Sequence, residues 1–239
     1  MLDTFKDIKL HNLKIPFDLN NKLMLIHSYQ LAKRLAKMGN HVGGARMLIR
    51  VSANISQFPH TKVNILTSAV AECTQAGLKQ AAYKTSCTLV RPEYIDSVPP
   101  KFKKKVEAIA RKPVKVEEEV EGLSPCPHCQ FEIYETCLDC PKCKNNIPFC
   151  IASGKHMELK EWSECPSCKM CANYTDFKKV LEAEPICPMC EQQVHPMSVK
   201  LSEDATADFK ALVNLMKDPP GEDEDEEGND SDDNDMLNN

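Results

Sequence analysis

The sequence is short of aromatic side chains and of long apolar runs. It has one tryptophan, and aromatic residues make up 6% of its 239 residues. No run of eighteen apolar residues occurs, so we expect no membrane insertion. The first residues lack a basic stretch followed by an apolar core, so we expect no secretory signal. The length suits one or two domains with a real core.

Motifs that signal catalysis are also missing. The chain has no Gly-rich phosphate loop, no His-Glu-x-x-His and no recognisable Ser/His/Asp set. We therefore expect neither an enzyme nor a small-molecule substrate. A thioredoxin-like redox role is disfavoured because such Cys-x-x-Cys motifs occur singly beside a βαβ unit.

Charge is unevenly distributed along the chain. Residues 221–239 hold ten acids and no base, which leaves 30 bases against 25 acids in residues 1–220. A mildly basic body with an acidic end is not the pattern of a strong nucleic-acid binder. The tail has almost no apolar side chains, so its composition predicts disorder.

Cysteine, in contrast, is abundant. A chain with thirteen cysteines and no expected secretion signal is predicted to use them as metal ligands and buried thiols in a reducing compartment. The phrase Cys-Pro-x-Cys occurs four times, and proline fixes one φ angle in each turn. Zn²⁺ prefers four thiolates in a tetrahedron. The sequence therefore predicts two structural Zn²⁺ ions held by Cys126, Cys129, Cys140, Cys143, Cys165, Cys168, Cys187 and Cys190.

The spacing leaves two ways to combine the four pairs. Sequential pairing gives two zinc-ribbon-like lobes, whereas interleaving gives a cross-brace as in RING domains. A RING would need an additional Cys and His, which Cys150 and His156 could supply, but one Cys-Pro-x-Cys pair would then lack a metal. Sequential pairing uses every pair and is the arrangement we favour.

Five amphipathic helices are predicted before the four Cys-Pro-x-Cys motifs. They cover about 18–38, 44–55, 61–76, 79–90 and 101–111. Gly39 and Gly77 lie 38 residues apart, and each separates two helices, which is typical of a TPR-like array. Two hairpins bury too little apolar surface to be stable alone, so we expect a longer array or a partner.

The predicted fold is mainly α, with TPR-like helical hairpins, a small zinc-ribbon-like double Cys₄ domain and a disordered acidic tail. We divide the chain into a lead-in segment, helical repeats, a linker, a zinc-binding domain, a short helix and the tail. The corresponding boundaries are 1–17, 18–111, 112–124, 125–200, 201–220 and 221–239.

Six further residues are able to bind a metal. We interpret Cys150 as a buried thiol because apolar residues flank it, and we expect His128 to point outward from its turn. Trp162 is expected to pack against the third Cys-Pro-x-Cys turn. No role is predicted for the remaining four, which are Cys137, Cys171, His156 and His195.

Taken together, these residues resemble the WD40/TPR subunits of intraflagellar transport complex A. The resemblance runs through helices and cysteine turns alike, over about residues 12–200. It does not include the acidic tail, and Cys171 departs from the pattern. The matching runs are Gly44–Pro59, Ile65–Ser68, Ala76–Lys79, Arg91–Tyr94, Lys103–Pro113 and Cys143–Met157.

The resemblance implies the C-terminal end of a larger subunit with WD40 propellers and a long helical array. It implies a scaffold that contacts other complex A subunits, supports retrograde ciliary transport and cilium assembly, and resides at the cilium and its base. Of the family's functional residues, only the eight paired cysteines carry over, as zinc ligands. The alternatives are a RING-like ubiquitin ligase module and a zinc-ribbon nucleic-acid binder.

Overall fold

A computed structural model describes residues 17–114 and 121–216. The predicted lead-in segment and acidic tail lie outside these ranges, apart from residue 17 itself. Within them the chain is mainly helical, with short strands only in the cysteine-rich part, as predicted. None of the helices in the described ranges is both long and apolar enough to cross a membrane.

Within the described residues 17–114, six helices precede the Cys-Pro-x-Cys motifs, and successive long helices pack side by side. We call residues 17–114 the helical region. Its helices are α1 Phe17–Lys37, α2 His41–Ala53, α3 Lys62–Gln75, α4 Lys79–Leu89, α5 Pro92–Ile95 and α6 Pro100–Ala110, with a 3₁₀ turn at Ile55–Gln57.

The two predicted helical hairpins are present. α1 packs on α2 and α3 packs on α4, with Gly39 and Gly77 at the turns. Both glycines have φ near +80°, where a residue with a side chain is disfavoured, so each ends its helix. The apolar face of α2 is buried, with Met47, Leu48 and Val51 all in the core. Period and glycine placement therefore located the hairpins correctly.

The second helix begins earlier than its sequence indicates. The sequence predicts a start near Gly44, but α2 starts at His41. The Asn40 side chain accepts a hydrogen bond from the Gly43 N–H at 2.9 Å. This cap satisfies one of the free N–H groups of the first turn and offsets the poor helix propensity of the glycines.

Two small antiparallel strand pairs lie in what we call the cysteine-rich region, residues 121–200. Strand β1 Leu123–Pro125 pairs with β2 Glu132–Tyr134, and β3 Trp162–Glu164 pairs with β4 Cys171–Asn173. The last residues of the predicted linker thus carry the first strand. Helix α7, Tyr174–Ala183, follows β4 directly, and the sequence analysis did not predict it.

Helix α1 lies between α2 and the cysteine-rich region. Its Leu31 and Leu35 pack with α2, whereas Leu23 belongs to the large core that also contains Phe149 and Trp162. The face of α1 that carries Leu23 is therefore in contact with the cysteine-rich region. The cysteine-rich region of the same chain therefore covers part of the apolar surface that the helical hairpins expose.

Polar contacts reinforce this packing. The Arg34 guanidinium donates to the Ile186 carbonyl at 2.6 Å and forms an ion pair with Glu184 at 3.1 Å. Arg46 pairs with Glu121 at 3.0 Å. Arg46 and Glu121 are both largely buried, so their ion pair is less screened by solvent than a surface pair. The helical and cysteine-rich regions are thus joined by both apolar and charged groups.

The last described helix, α8, Ala205–Met216, returns to the cysteine-rich region. Phe209 is buried and meets the Trp162 ring edge-on, with centroids 6.0 Å apart. Trp162 is itself only 1% exposed and belongs to the core cluster that also contains Cys165 and Cys168, which is consistent with the predicted packing against the third cysteine turn.

We predict that Asn40→Ala destabilises the protein, because the Gly43 N–H loses its acceptor. The expected loss is about 1 kcal/mol in the free energy of unfolding. Urea unfolding followed by circular dichroism measures it. Asn40→Asp keeps an acceptor at the same place and should stay close to the unsubstituted protein. Equal losses for both variants would contradict the capping role.

Candidate metal centre

The four Cys-Pro-x-Cys motifs form four turns with one shared backbone, which we call knuckles 1 to 4. In each, the first cysteine's carbonyl accepts from the N–H of the fifth residue at 2.9–3.0 Å. The first cysteine's own N–H donates to the carbonyl of the sixth residue at 2.9–3.1 Å. This double closure holds both thiols of a knuckle on one side. Knuckles 1 to 4 begin at Cys126, Cys140, Cys165 and Cys187.

The fifth residue of every knuckle has a left-handed backbone. Its φ lies between 58° and 61°, and none of the four residues is a glycine. Side chains are disfavoured in this region of backbone space but not excluded. The turn therefore tolerates a side chain at its fifth position, where the chain carries Gln130, Lys144, Lys169 and Glu191.

The structure brings the knuckles together in sequence order. The four sulfurs of knuckles 1 and 2 lie within 4.8 Å of one another, and so do those of knuckles 3 and 4. In the first cluster, Cys126 Sγ is 3.9 Å from Cys143 Sγ, and Cys129 Sγ is 3.6 Å from Cys140 Sγ. The chain thus forms two sequential lobes and not an interleaved cross-brace.

These clusters fit a tetrahedral metal ion. Four sulfurs around Zn²⁺ at about 2.3 Å lie roughly 3.8 Å from one another. The 3.6 Å and 3.9 Å separations in the first cluster match that geometry. When bound, zinc would cross-link the two knuckles of each lobe. With four protein ligands such a site is closed, so it supplies rigidity and offers no position for a substrate.

Each cluster contains one thiol that ionises readily. The N–H groups of Cys143 and Lys142 donate to Cys140 and lower its pKa to about 6. In the other cluster, a hydrogen bond from the Cys168 thiol lowers the pKa of Cys165 to about 2. Because a thiolate and not a thiol binds metal, these hydrogen bonds favour the metal-binding form of one sulfur in each cluster.

The two lobes differ in the core that supports them. Lobe 1, residues 121–149, has a small core of its own in which cysteines accompany only Ile133 and Ile147, and it contributes Leu138 and Phe149 to the large core. Lobe 2, residues 162–200, shares the large core that includes Phe177 and Leu181 of α7. Burial of an apolar side chain contributes about 1.5–3 kcal/mol, so lobe 1 has much less apolar stabilisation than lobe 2.

The other metal-capable residues lie outside both clusters. Cys150 is fully buried, as predicted, and accepts N–H bonds. Cys137 donates to the Asp139 carbonyl, Cys171 to that of Phe149, and His156 pairs with the Ser124 hydroxyl. Since Cys150 and His156 have other partners, the additional pair that a RING requires is not assembled here.

His128 does not point freely outward, as its position within a knuckle had suggested. It is half-buried, and its ring meets that of Phe209 edge-on with centroids 4.7 Å apart. The contact comes from α8, about eighty residues away in the chain, so local sequence gave no indication of it. Knuckle 1 is thereby tied to the end of the described chain.

Comparisons with known proteins agree on one origin for both regions. The chain is 46% identical over 206 residues to WD repeat-containing protein 19 of Mus musculus and 44% identical to that of Homo sapiens, in each case over 86% of this chain. The chain is homologous to a region of these proteins. It is also 40% identical over 178 residues, 74% of its length, to WD repeat-containing protein dyf-2 of Caenorhabditis elegans.

The chain matches only a small part of each relative. This chain spans about 15% of the length of the two mammalian proteins and 13% of dyf-2. No family model matches the chain. The homology therefore shows which proteins this region is related to. Any activity of the full-length relatives is a proposal for this chain.

We predict that the reduced chain binds two zinc ions and that each lobe binds its own. Cys126→Ser should lower the zinc content from two to one per chain, because only lobe 1 loses a ligand. Elemental analysis of purified protein measures the ratio. Cys137→Ser removes a nearby thiol outside the clusters and should keep two. Loss of both ions in Cys126→Ser would contradict independent lobes.

A second prediction concerns metal removal. Zinc in small Cys₄ modules contributes on the order of 10 kcal/mol to folding. The apolar core around the lobe 1 cysteines is small, so a chelator should make the lobe 1 backbone accessible to hydrogen exchange before that of lobe 2. Mass spectrometry of peptides from 126–147 and 171–183 follows the two lobes separately. Faster exchange in α7 than around Ile133 would contradict the difference in core support.

Proposed function

We propose that this region is a scaffold within intraflagellar transport complex A. It supports retrograde ciliary transport and cilium assembly by contacting other subunits of that complex, at the cilium and its base. The observation that carries the proposal is the homology to WD repeat-containing protein 19, which extends over helical and cysteine-rich regions together. Placement at the C-terminal end of a larger subunit is part of the proposal.

The chemistry of the cysteine clusters supports a role in holding partners. The eight paired cysteines would act as structural zinc ligands in two closed sites, which leaves no metal position open for a reaction. Rigid lobes present a fixed surface, so little conformational entropy is lost when a partner binds. We therefore assign no enzymatic activity to the region.

One surface of lobe 1 is suited to protein contact. Leu123 and Tyr134 are directly paired across the β1–β2 hairpin and are 55% and 53% exposed. Phe131, in the turn before β2, is 43% exposed. Adjacent exposed apolar side chains in a small rigid module are typical of binding surfaces. Loss of zinc from lobe 1 would disrupt this surface.

The test uses full-length protein expressed in ciliated cells that lack the endogenous copy. The double variant Cys126→Ser/Cys187→Ser should co-purify less with other complex A subunits and return less cargo from cilia, because both lobes lose a ligand. Quantitative mass spectrometry of the purified complex and imaging of cargo at ciliary tips measure these effects.

Cys137→Ser provides the matched control. It removes a sulfur from the same region but from neither cluster, so it should assemble normally. Normal incorporation and normal cargo return in the double variant, with zinc absent, would overturn the scaffold role of the cysteine-rich region.

A further inference from the structure

A fifth turn has the backbone of the four knuckles. The Gly154 N–H donates to the Cys150 carbonyl at 2.8 Å, and the Cys150 N–H donates to the Lys155 carbonyl at 2.8 Å. These are the two bonds that close knuckles 1 to 4. The fifth residue, Gly154, again has a positive φ, at 71°. Residues 150–155 therefore form a fifth knuckle between the two lobes.

The fifth knuckle lacks the ligand set of the others. Ser153 occupies the position of the second cysteine. The buried Cys150 Sγ accepts the Ala152 N–H at 3.4 Å and the Asn173 N–H at 3.2 Å. One sulfur already occupied by backbone donors does not build a tetrahedral site. A metal therefore does not account for the retention of this turn.

Helix α2 sits directly on the fifth position of this knuckle. A Cβ atom added to Gly154 would overlap Met47 Sδ and Cε. Backbone conformation alone does not demand glycine there, because all four other knuckles carry a side chain at the same position with a similar φ. The glycine is explained by the close approach of the buried Met47 side chain of α2.

The carbonyl groups of the fifth knuckle serve the same two helices. His27 of α1 donates its Nε2–H to the Ile151 carbonyl at 2.9 Å, and burial lowers the pKa of His27 to about 4, so the ring is neutral. Arg50 of α2 donates to the Gly154 carbonyl at 2.7 Å and to that of Thr136 at 2.6 Å. Buried carbonyls left without these donors would cost free energy.

We propose that the fifth knuckle, residues 150–155, is a metal-free docking site whose ligand is the α1–α2 hairpin of the same chain. Van der Waals contact through Met47 and hydrogen bonds from His27 and Arg50 hold the hairpin on it. This knuckle fixes the orientation of the helical region on the two lobes, as zinc would fix the knuckles within each lobe.

The first test places a side chain on the docking face. Gly154→Asn should lower the melting temperature by more than about 4 °C, given that about 1 kcal/mol shifts a protein of this size by roughly 2–4 °C. Asparagine tolerates a positive φ, so the loss reports mainly on the overlap with Met47. Lys144→Asn changes the equivalent position of knuckle 2, which is exposed, and should leave the melting temperature unchanged.

A double-mutant cycle separates docking from backbone strain. Gly154→Ala and Met47→Ala should each lower the melting temperature, and the double variant should lose less than the sum because the second change makes room for the first. Strictly additive losses would overturn the contact as the reason for the glycine.

Arg50→Met tests the hydrogen bonds in a variant that adds no side chain to the turn. Faster hydrogen exchange in α1 and α2 is expected, while knuckles 1 to 4 keep their exchange rates and two zinc ions. Cys150→Ala should also retain two zinc ions. Unchanged helix exchange in Arg50→Met, or a lower zinc content in Cys150→Ala, would overturn the proposal; neither result depends on assembly into any complex.

Discussion

The structure depends on the burial of helix α1 on two sides. Leu31 and Leu35 face α2, and Leu23 faces the cysteine-rich region, so one helix supplies apolar surface to two clusters. A pair of helical hairpins or a pair of cysteine lobes buries little on its own. Their contact through α1 gives the chain a shared core, and the position of every other element is set relative to it.

The cysteine-rich region reuses one backbone turn five times for two purposes. Where the turn carries two cysteines, two copies face each other and gather four sulfurs. Where it carries Cys150 and Ser153, its sulfur is satisfied by backbone donors and its carbonyls face the helices. The same local geometry thus presents either thiols or carbonyl groups, depending on one residue and its neighbours.

The two lobes are supported unequally, and this bears on what each can do. Lobe 2 shares one core with α1, α7 and α8, so it is packed firmly against the rest of the molecule. Lobe 1 has a small core of its own and exposes Leu123 and Tyr134 on its hairpin. A module that relies on its cysteine cluster for rigidity and exposes apolar side chains is well placed to meet a partner while lobe 2 anchors it.

Local sequence determined the elements of this protein. The helical period and the glycines at 39 and 77 located the hairpins, because those signals act within a few residues. The repeated Cys-Pro-x-Cys phrase identified the two clusters, since the turn that presents two thiols is closed by bonds within six residues. The early start of α2 was missed, although its Asn40 cap is also a local feature of the sequence.

Only the tertiary structure determined which residues from distant segments are in contact. Nothing near Gly154 in the sequence indicates Met47, about a hundred residues earlier, and nothing near His128 indicates Phe209. Helix α7 was not predicted, although Phe177, Val180 and Leu181 lie on the face that packs into the core. This helix was missed despite its local helical spacing. The fifth knuckle lacks the Cys-Pro-x-Cys motif, and its single cysteine, Cys150, does not identify the turn in the sequence. The contacts of Gly154 and His128 join distant segments and form only when the shared core around α1 assembles, so no short stretch of sequence indicates them.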